Sequence, residues 1–235
     1  MPTPSAFHCL VFDLDDTLFP ERDYVFSGFD AAVRHVAGFV GEARLDLATR
    51  AREIFESGGR GDVFNQLVAG TPDLPWPADA VVRMVEAYRG HVPKLELAPE
   101  VRALLRRLRE DGRALGVITD GWLDVQRRKV AALGIDSLVD GVVYSDALGG
   151  RDAWKPSSLP FRALEAALNV VPAECLYIGD NPAKDFLGAR NAGWRSLRLR
   201  IPGREHSAVN APADRDADFH ADSYSGLAQM LLSTT

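Results

Sequence analysis

The 235 residues exceed one ordinary domain and fall short of two average ones, so the length predicts one core of normal size carrying a sizeable insertion. With 46% hydrophobic and 26% charged residues, the composition excludes a disordered or fibrous chain. A net charge of -6 excludes a broad nucleic-acid-binding face and leaves room only for a local basic pocket holding a small anion.

In chain order, the first predicted element is a strand at 9–14, "CLVFDL", an apolar run that ends among Asp13, Asp15 and Asp16. The rhythm then turns helical over 19–97, where Val25, Phe29, Val33, Val36 and Val40 form one stripe and Val81, Val85 and Tyr88 another. "SGGRGDVFN" at 57–65 and "GTPDLPWPAD" at 70–79 read as loops inside this helical insertion. Pro99 opens a helix whose Val101, Leu104, Leu105 and Leu108 share a face and which Gly112 closes. From there strands alternate with helices: "ALGVIT" at 114–119, "GVVYS" at 141–145, "CLYIGD" at 175–180 and "RSLRLR" at 195–200, with a helix opened by Pro182 and ended by Gly193. The segment 201–217 is polar and turn-rich, and "YSGLAQMLL" at 224–232 reads as a terminal helix.

The two cysteines, Cys9 and Cys175, lie on predicted strands outside any metal-binding or disulfide spacing, so they read as buried free thiols of a cytoplasmic protein. No stretch approaches the ~18 apolar residues of a membrane span, and the first residues lack a secretory leader pattern.

A parallel sheet collects its functional groups at the carboxyl ends of its strands. Asp13 and Asp15 fall at the first such end, Thr119 at the second, Lys155 about ten residues beyond the third, and Asp180 at the fourth with Asp185 just after it. Carboxylates gathered this way require a cation, and oxygen ligands with open positions suit Mg2+. Asp13 could then attack a phosphorus atom, Asp15 could move the proton, and Thr119 with the backbone N–H groups of Asp120 and Gly121 could hold phosphoryl oxygens beside Lys155.

Four stretches in order, "DLDDTL" at 13–18, "VITDG" at 117–121, "WKP" at 154–156 and "GDNPAKD" at 179–185, resemble the motifs of the haloacid dehalogenase (HAD) superfamily. The resemblance spans nearly the whole chain and is specific through the order and spacing of the set. It implies an α/β fold, a Rossmann-like parallel sheet flanked by helices at 1–18 and 98–235 with an inserted α-helical cap of the C1 type at 19–97. It implies a Mg2+-dependent phosphatase of a small phosphorylated metabolite. Asp13 is then nucleophile and metal ligand, and Asp15 is acid/base and a ligand through its backbone carbonyl. Thr119, Asp120, Gly121 and Lys155 bind the phosphoryl group, and Asp180 and Asp185 bind the metal, Asp185 directly or through water. Asp120 departs from the Asn of many members, and Asp16, commonly Gly in the family, reads as a turn residue.

Four rivals stay open beside this reading. A 2-haloacid dehalogenase also uses an aspartate ester, but that branch lacks the second acid of the first motif. A phosphomutase of the same superfamily, a phospho-accepting regulatory module and a catalytically inactive binding protein complete the set. No histidine falls in a motif, no nucleic acid or membrane partner is expected, and monomer and homodimer are both open.

Overall fold

The computed structural model describes residues 2–41 and 44–232. They form two compact units, one of the residues up to Glu21 together with those from Glu96 onward, the other of Arg22–Leu95. In chain order the elements are β1 (Cys9–Phe12), α1 (Glu21–Val40), α2 (Arg44–Glu56), α3 (Val63–Ala69), α4 (Ala80–Gly90), α5 (Pro99–Glu110), β2 (Ala114–Thr119), α6 (Leu123–Leu133), β3 (Gly141–Tyr144), α7 (Leu159–Leu168), β4 (Cys175–Gly179), α8 (Asp185–Asn191), β5 (Arg195–Leu199), β6 (Phe219–Ala221) and α9 (Tyr224–Leu232), with short 3-10 turns between some of them.

The strands pair in parallel in the order β3-β2-β1-β4-β5-β6. All four residues of β1 are buried, as expected of a strand covered on both faces. One face packs Cys9 and Val11 with Ile118, Phe161, Leu164, Tyr177 and Trp194. Phe161 meets Tyr177 and Trp194 edge-on at 5.1 and 5.2 Å between ring centroids. Cys9 and Cys175 are register partners on neighbouring strands, both free and buried. On α5 the stripe Val101, Leu104, Leu105 and Leu108 is buried throughout, and Gly112 follows at φ 76°. No helix among the described residues is long and apolar enough to cross a membrane.

Three elements depart from the sequence expectation. A sixth strand, Phe219–Ala221, joins the sheet edge beside Leu197–Leu199; its three residues have only Ala221 buried, so no apolar run announces it. Helix α8 starts at Asp185 rather than Pro182, because Asn181 Oδ1 accepts the Ala183 N–H at 2.9 Å and holds the intervening residues in a turn. Helix α3 occupies Val63–Ala69, so the loop before it ends at Asp62.

In the helical unit, Val25, Phe29, Val33, Val36 and Val40 are buried along α1 as the stripe predicts. Phe29 sits among Phe26, Phe55, Phe64 and Tyr88 at 5.8–6.3 Å, edge-on or tilted, pairs worth about 0.5–1.5 kcal/mol each beyond burial. On α4 the buried residues are Ala80 and Met84; Val81, Val85 and Tyr88 are only partly covered and line a cavity of about 250 Å³.

Candidate active site

The sheet order reverses between β1 and β4, and a doubly wound sheet binds its ligands outside such a switch point. Asp13 is the first residue past β1 and Asp180 the first past β4, so the two carboxylates straddle it. The Asp13 N–H donates to the Ile178 carbonyl at 2.8 Å, which extends the ladder one residue and fixes the backbone beneath the side chain. Thr119, last residue of β2, lies on the next strand over and is 1% exposed.

Lys155 links these loops. Its Nζ is fully buried and lies 2.7 Å from Asp13 Oδ1 and 2.8 Å from Asp185 Oδ1, and it donates to the Tyr177 hydroxyl at 2.7 Å. Its backbone N–H donates to Asp120 Oδ1 at 3.2 Å, so the extra acid of the second motif latches that loop to the third. Asp185 is held by the Asn181 N–H at 2.9 Å. Gly179 allows this approach, since a Cβ there would stand 2.6 Å from Asp185 Oδ2.

Oxygens of Asp13, Asp180 and Asp185 all lie within 4.8 Å of one another. Burial raises the Asp13 carboxyl to about 6, with Lys155 opposing and Asp185 adding to the rise. Burial, then the negative charges of Asp185 and Asp13, pushes Asp180 up to about 9. Burial works against Asp185 as well, but Lys155, Lys184 and the Asn181 N–H outweigh it and hold this carboxyl below its ordinary value. Lys155 stays well above its ordinary value, because Asp13 and Asp185 overcome its own burial. With Asp120 included, four carboxylates face the ammonium groups of Lys155 and Lys184, an excess of two negative charges when all are ionised. Asp180 Oδ2 is buried with no hydrogen-bond partner. An all-carboxylate set with an orphaned oxygen and this charge excess fits a divalent cation.

Asp15 lies apart from that trio. Its Oδ1 meets Lys129 Nζ at 2.7 Å and its Oδ2 accepts from Gln126 Nε2 at 2.8 Å. Gln126 also donates to the Thr119 hydroxyl, which ties the second acid of the first motif to the second motif through one amide. Gly121, at φ 123°, turns the chain there, and a Cβ on it would stand 3.2 Å from Gln126 Cδ. Gln126 and Lys129 are absent from the sequence reading although both are buried on α6 beside Val130 and Leu133; polar residues within a helix's apolar stripe were the available signal. Lys184 and Tyr177 were missed as well.

One histidine, outside every motif, comes near the site. His206 Nε2 lies 3.0 Å from Asn181 Nδ2, beside the acid cluster, because Arg198 from β5 binds the carbonyls of His206 and Val209 at 2.9 and 2.8 Å and folds the 201–217 segment back. Asp16 takes the turn role at φ 54°, accepting the Glu21 N–H at 3.0 Å.

The strand order and the acid cluster at its switch point set the protein among the doubly wound α/β enzymes. Residues 7–193 match the family described as haloacid dehalogenase-like hydrolase. The chain is 30% identical over 221 residues to the glyceraldehyde 3-phosphate phosphatase of Methanopyrus kandleri, covering 91% of this chain and 92% of that one. It is 36% identical over 193 residues to the protein of that name in Pyrococcus abyssi, covering 80% and 79%. A HAD family hydrolase from Deinococcus radiodurans R1, solved with bound phosphate and sodium, shares the fold at a TM-score of 0.66 and 19% identity over 98% of this chain and 100% of that one. The chain belongs to the haloacid dehalogenase-like hydrolases.

Proposed function

We propose that this hydrolase is a Mg2+-dependent phosphatase that cleaves a small phosphomonoester through an aspartyl-phosphate at Asp13. The observation that carries the reading is the buried convergence of Asp13, Lys155, Asp180 and Asp185 at the switch point, with an excess of negative charge. The names of these relatives support phosphate esters as the substrate class.

Asp13, Asp180 and Asp185, with the Asp15 carbonyl, would hold the cation, which neutralises the carboxylates and lets a phosphate dianion approach them. Asp13 attacks phosphorus in line, forming an acyl phosphate as the ester P–O bond breaks. Asp15 gives its proton to the departing alkoxide, then takes one from the water that attacks phosphorus and releases inorganic phosphate and free Asp13. Gln126 and Lys129 fix the Asp15 carboxyl for both transfers. Lys155, Thr119 and the backbone of Asp120 and Gly121 hold the phosphoryl oxygens. On this reading the helical insertion serves as the cap.

Release of inorganic phosphate from p-nitrophenyl phosphate is expected with Mg2+ and lost in EDTA and in Asp13→Asn. Undiminished turnover by Asp13→Asn overturns the mechanism, and halide release from a 2-haloacid without phosphate release from any ester favours the dehalogenase reading.

A further inference from the structure

Two tryptophans flank the residues that this reading gives to the phosphoryl group. Trp122 follows Gly121, and Trp154 precedes Lys155. The guanidinium of Arg151 lies 5.5 Å from the ring centroid of each, within the range of a cation–π contact on both. The arrangement is held from below by Asp146, which accepts the Trp154 indole N–H on Oδ1 and the Leu123 N–H on Oδ2, both at 3.1 Å, and so ties the two loops together. A cation–π contact needs no acceptor lone pair and leaves guanidinium N–H donors able to bind an anion. Arg151 is exposed, and among the described residues no carboxylate pairs with it.

A guanidinium held near two indoles, with no carboxylate paired to it among the described residues, suits bidentate binding of a carboxylate or phosphate. The geometry points to Arg151 as a specificity residue that binds a second anionic group on the leaving alcohol, so that the substrate is a phosphomonoester carrying a further carboxylate or phosphate. This rests on the phosphatase reading, and it selects among esters by a residue outside the motifs.

The test compares kcat/KM within matched pairs: ethyl phosphate against phosphoglycolate, its carboxylate analogue, and propyl phosphate against propane-1,3-diyl bisphosphate. Wild type is expected to prefer the anionic member of at least one pair, and which pair responds tells carboxylate from phosphate. In Arg151→Met, whose stem can still pack beside the indoles, the preference for the anionic member falls by about tenfold or more, the loss of a charge-assisted hydrogen-bonded pair. Arg151→Lys keeps the charge without the planar fork and restores only part of it. Because each ratio is taken within one protein, a loss of folded enzyme cancels. A wild type without preference, or a ratio unchanged in Arg151→Met, overturns the inference and leaves the phosphatase reading standing. A wild type that cleaves none of these esters and no aryl phosphate overturns both.

Discussion

Replacing Lys155 by Met tests the electrostatic account of the site. The ammonium is fully buried, 2.7 Å from Asp13 and 2.8 Å from Asp185, and hydrogen-bonded to Tyr177. Methionine fills similar volume but leaves two buried carboxylates without their shared cation. Removing one member of such a buried ion pair costs about 3–5 kcal/mol. At about 2–4 °C per kcal/mol for a chain of this length, Tm in EDTA falls by about 10 °C. Urea unfolding and calorimetry of both proteins, each with and without Mg2+, provide the measurement. Mg2+ is expected to raise the variant's Tm by more than wild type's, since it supplies the missing positive charge. The double variant Lys155→Met/Asp185→Asn should recover part of the loss, because one stranded charge is gone. A loss below about 1 kcal/mol, or strictly additive effects in the double variant, would show that the carboxylates do not depend on Lys155 as argued.

Two further outcomes concern pH. The Asp180 carboxyl is raised to about 9, so over the interval from its unfolded value up to there the native state holds a proton that the unfolded chain has lost. Its contribution to stability therefore falls as pH rises, by up to about 1.4 kcal/mol per pH unit; Asp180→Asn escapes this, and in EDTA its Tm advantage over wild type should widen from pH 6 to pH 9, with a constant gap refuting the assignment. Asp13, raised to about 6 by burial in the metal-free protein, holds a proton below that value which a bound cation must displace, so Mg2+ affinity measured by calorimetry should weaken as pH falls below about 6, and an affinity unchanged from pH 7 to pH 5 would argue against Asp13 as a ligand.

Much of the molecule can be read without coordinates where period and motif agree. The strand at 114–119 and the helices at 99 and 224 are clean apolar patterns ended by Gly or Pro or preceded by polar residues, and they appear at those positions. Asp13, Asp180, Asp185 and Lys155 belong to quoted motifs, and the structure gathers them. What escaped lies outside any motif and depends on packing. Gln126 and Lys129 owe their place beside Asp15 to the packing of α6, and β6 owes its existence to an edge position beside β5. His206 lies seven residues beyond β5 in a turn-rich stretch without apolar period, and the buried Arg198, which binds its carbonyl, helps to carry it back to Asn181.

The fold of the 201–217 segment also bears on where this protein can be cut. The family match stops at residue 193, yet Asp16 receives the Glu205 N–H and Asn181 contacts His206 from beyond that limit, and β5 and β6 complete the sheet there. A fragment trimmed to the family boundary would keep every motif while removing the outer strands and the loop that braces two of those motifs. The smallest piece recognisable by descent is thus smaller than the smallest piece that can be expected to fold and work.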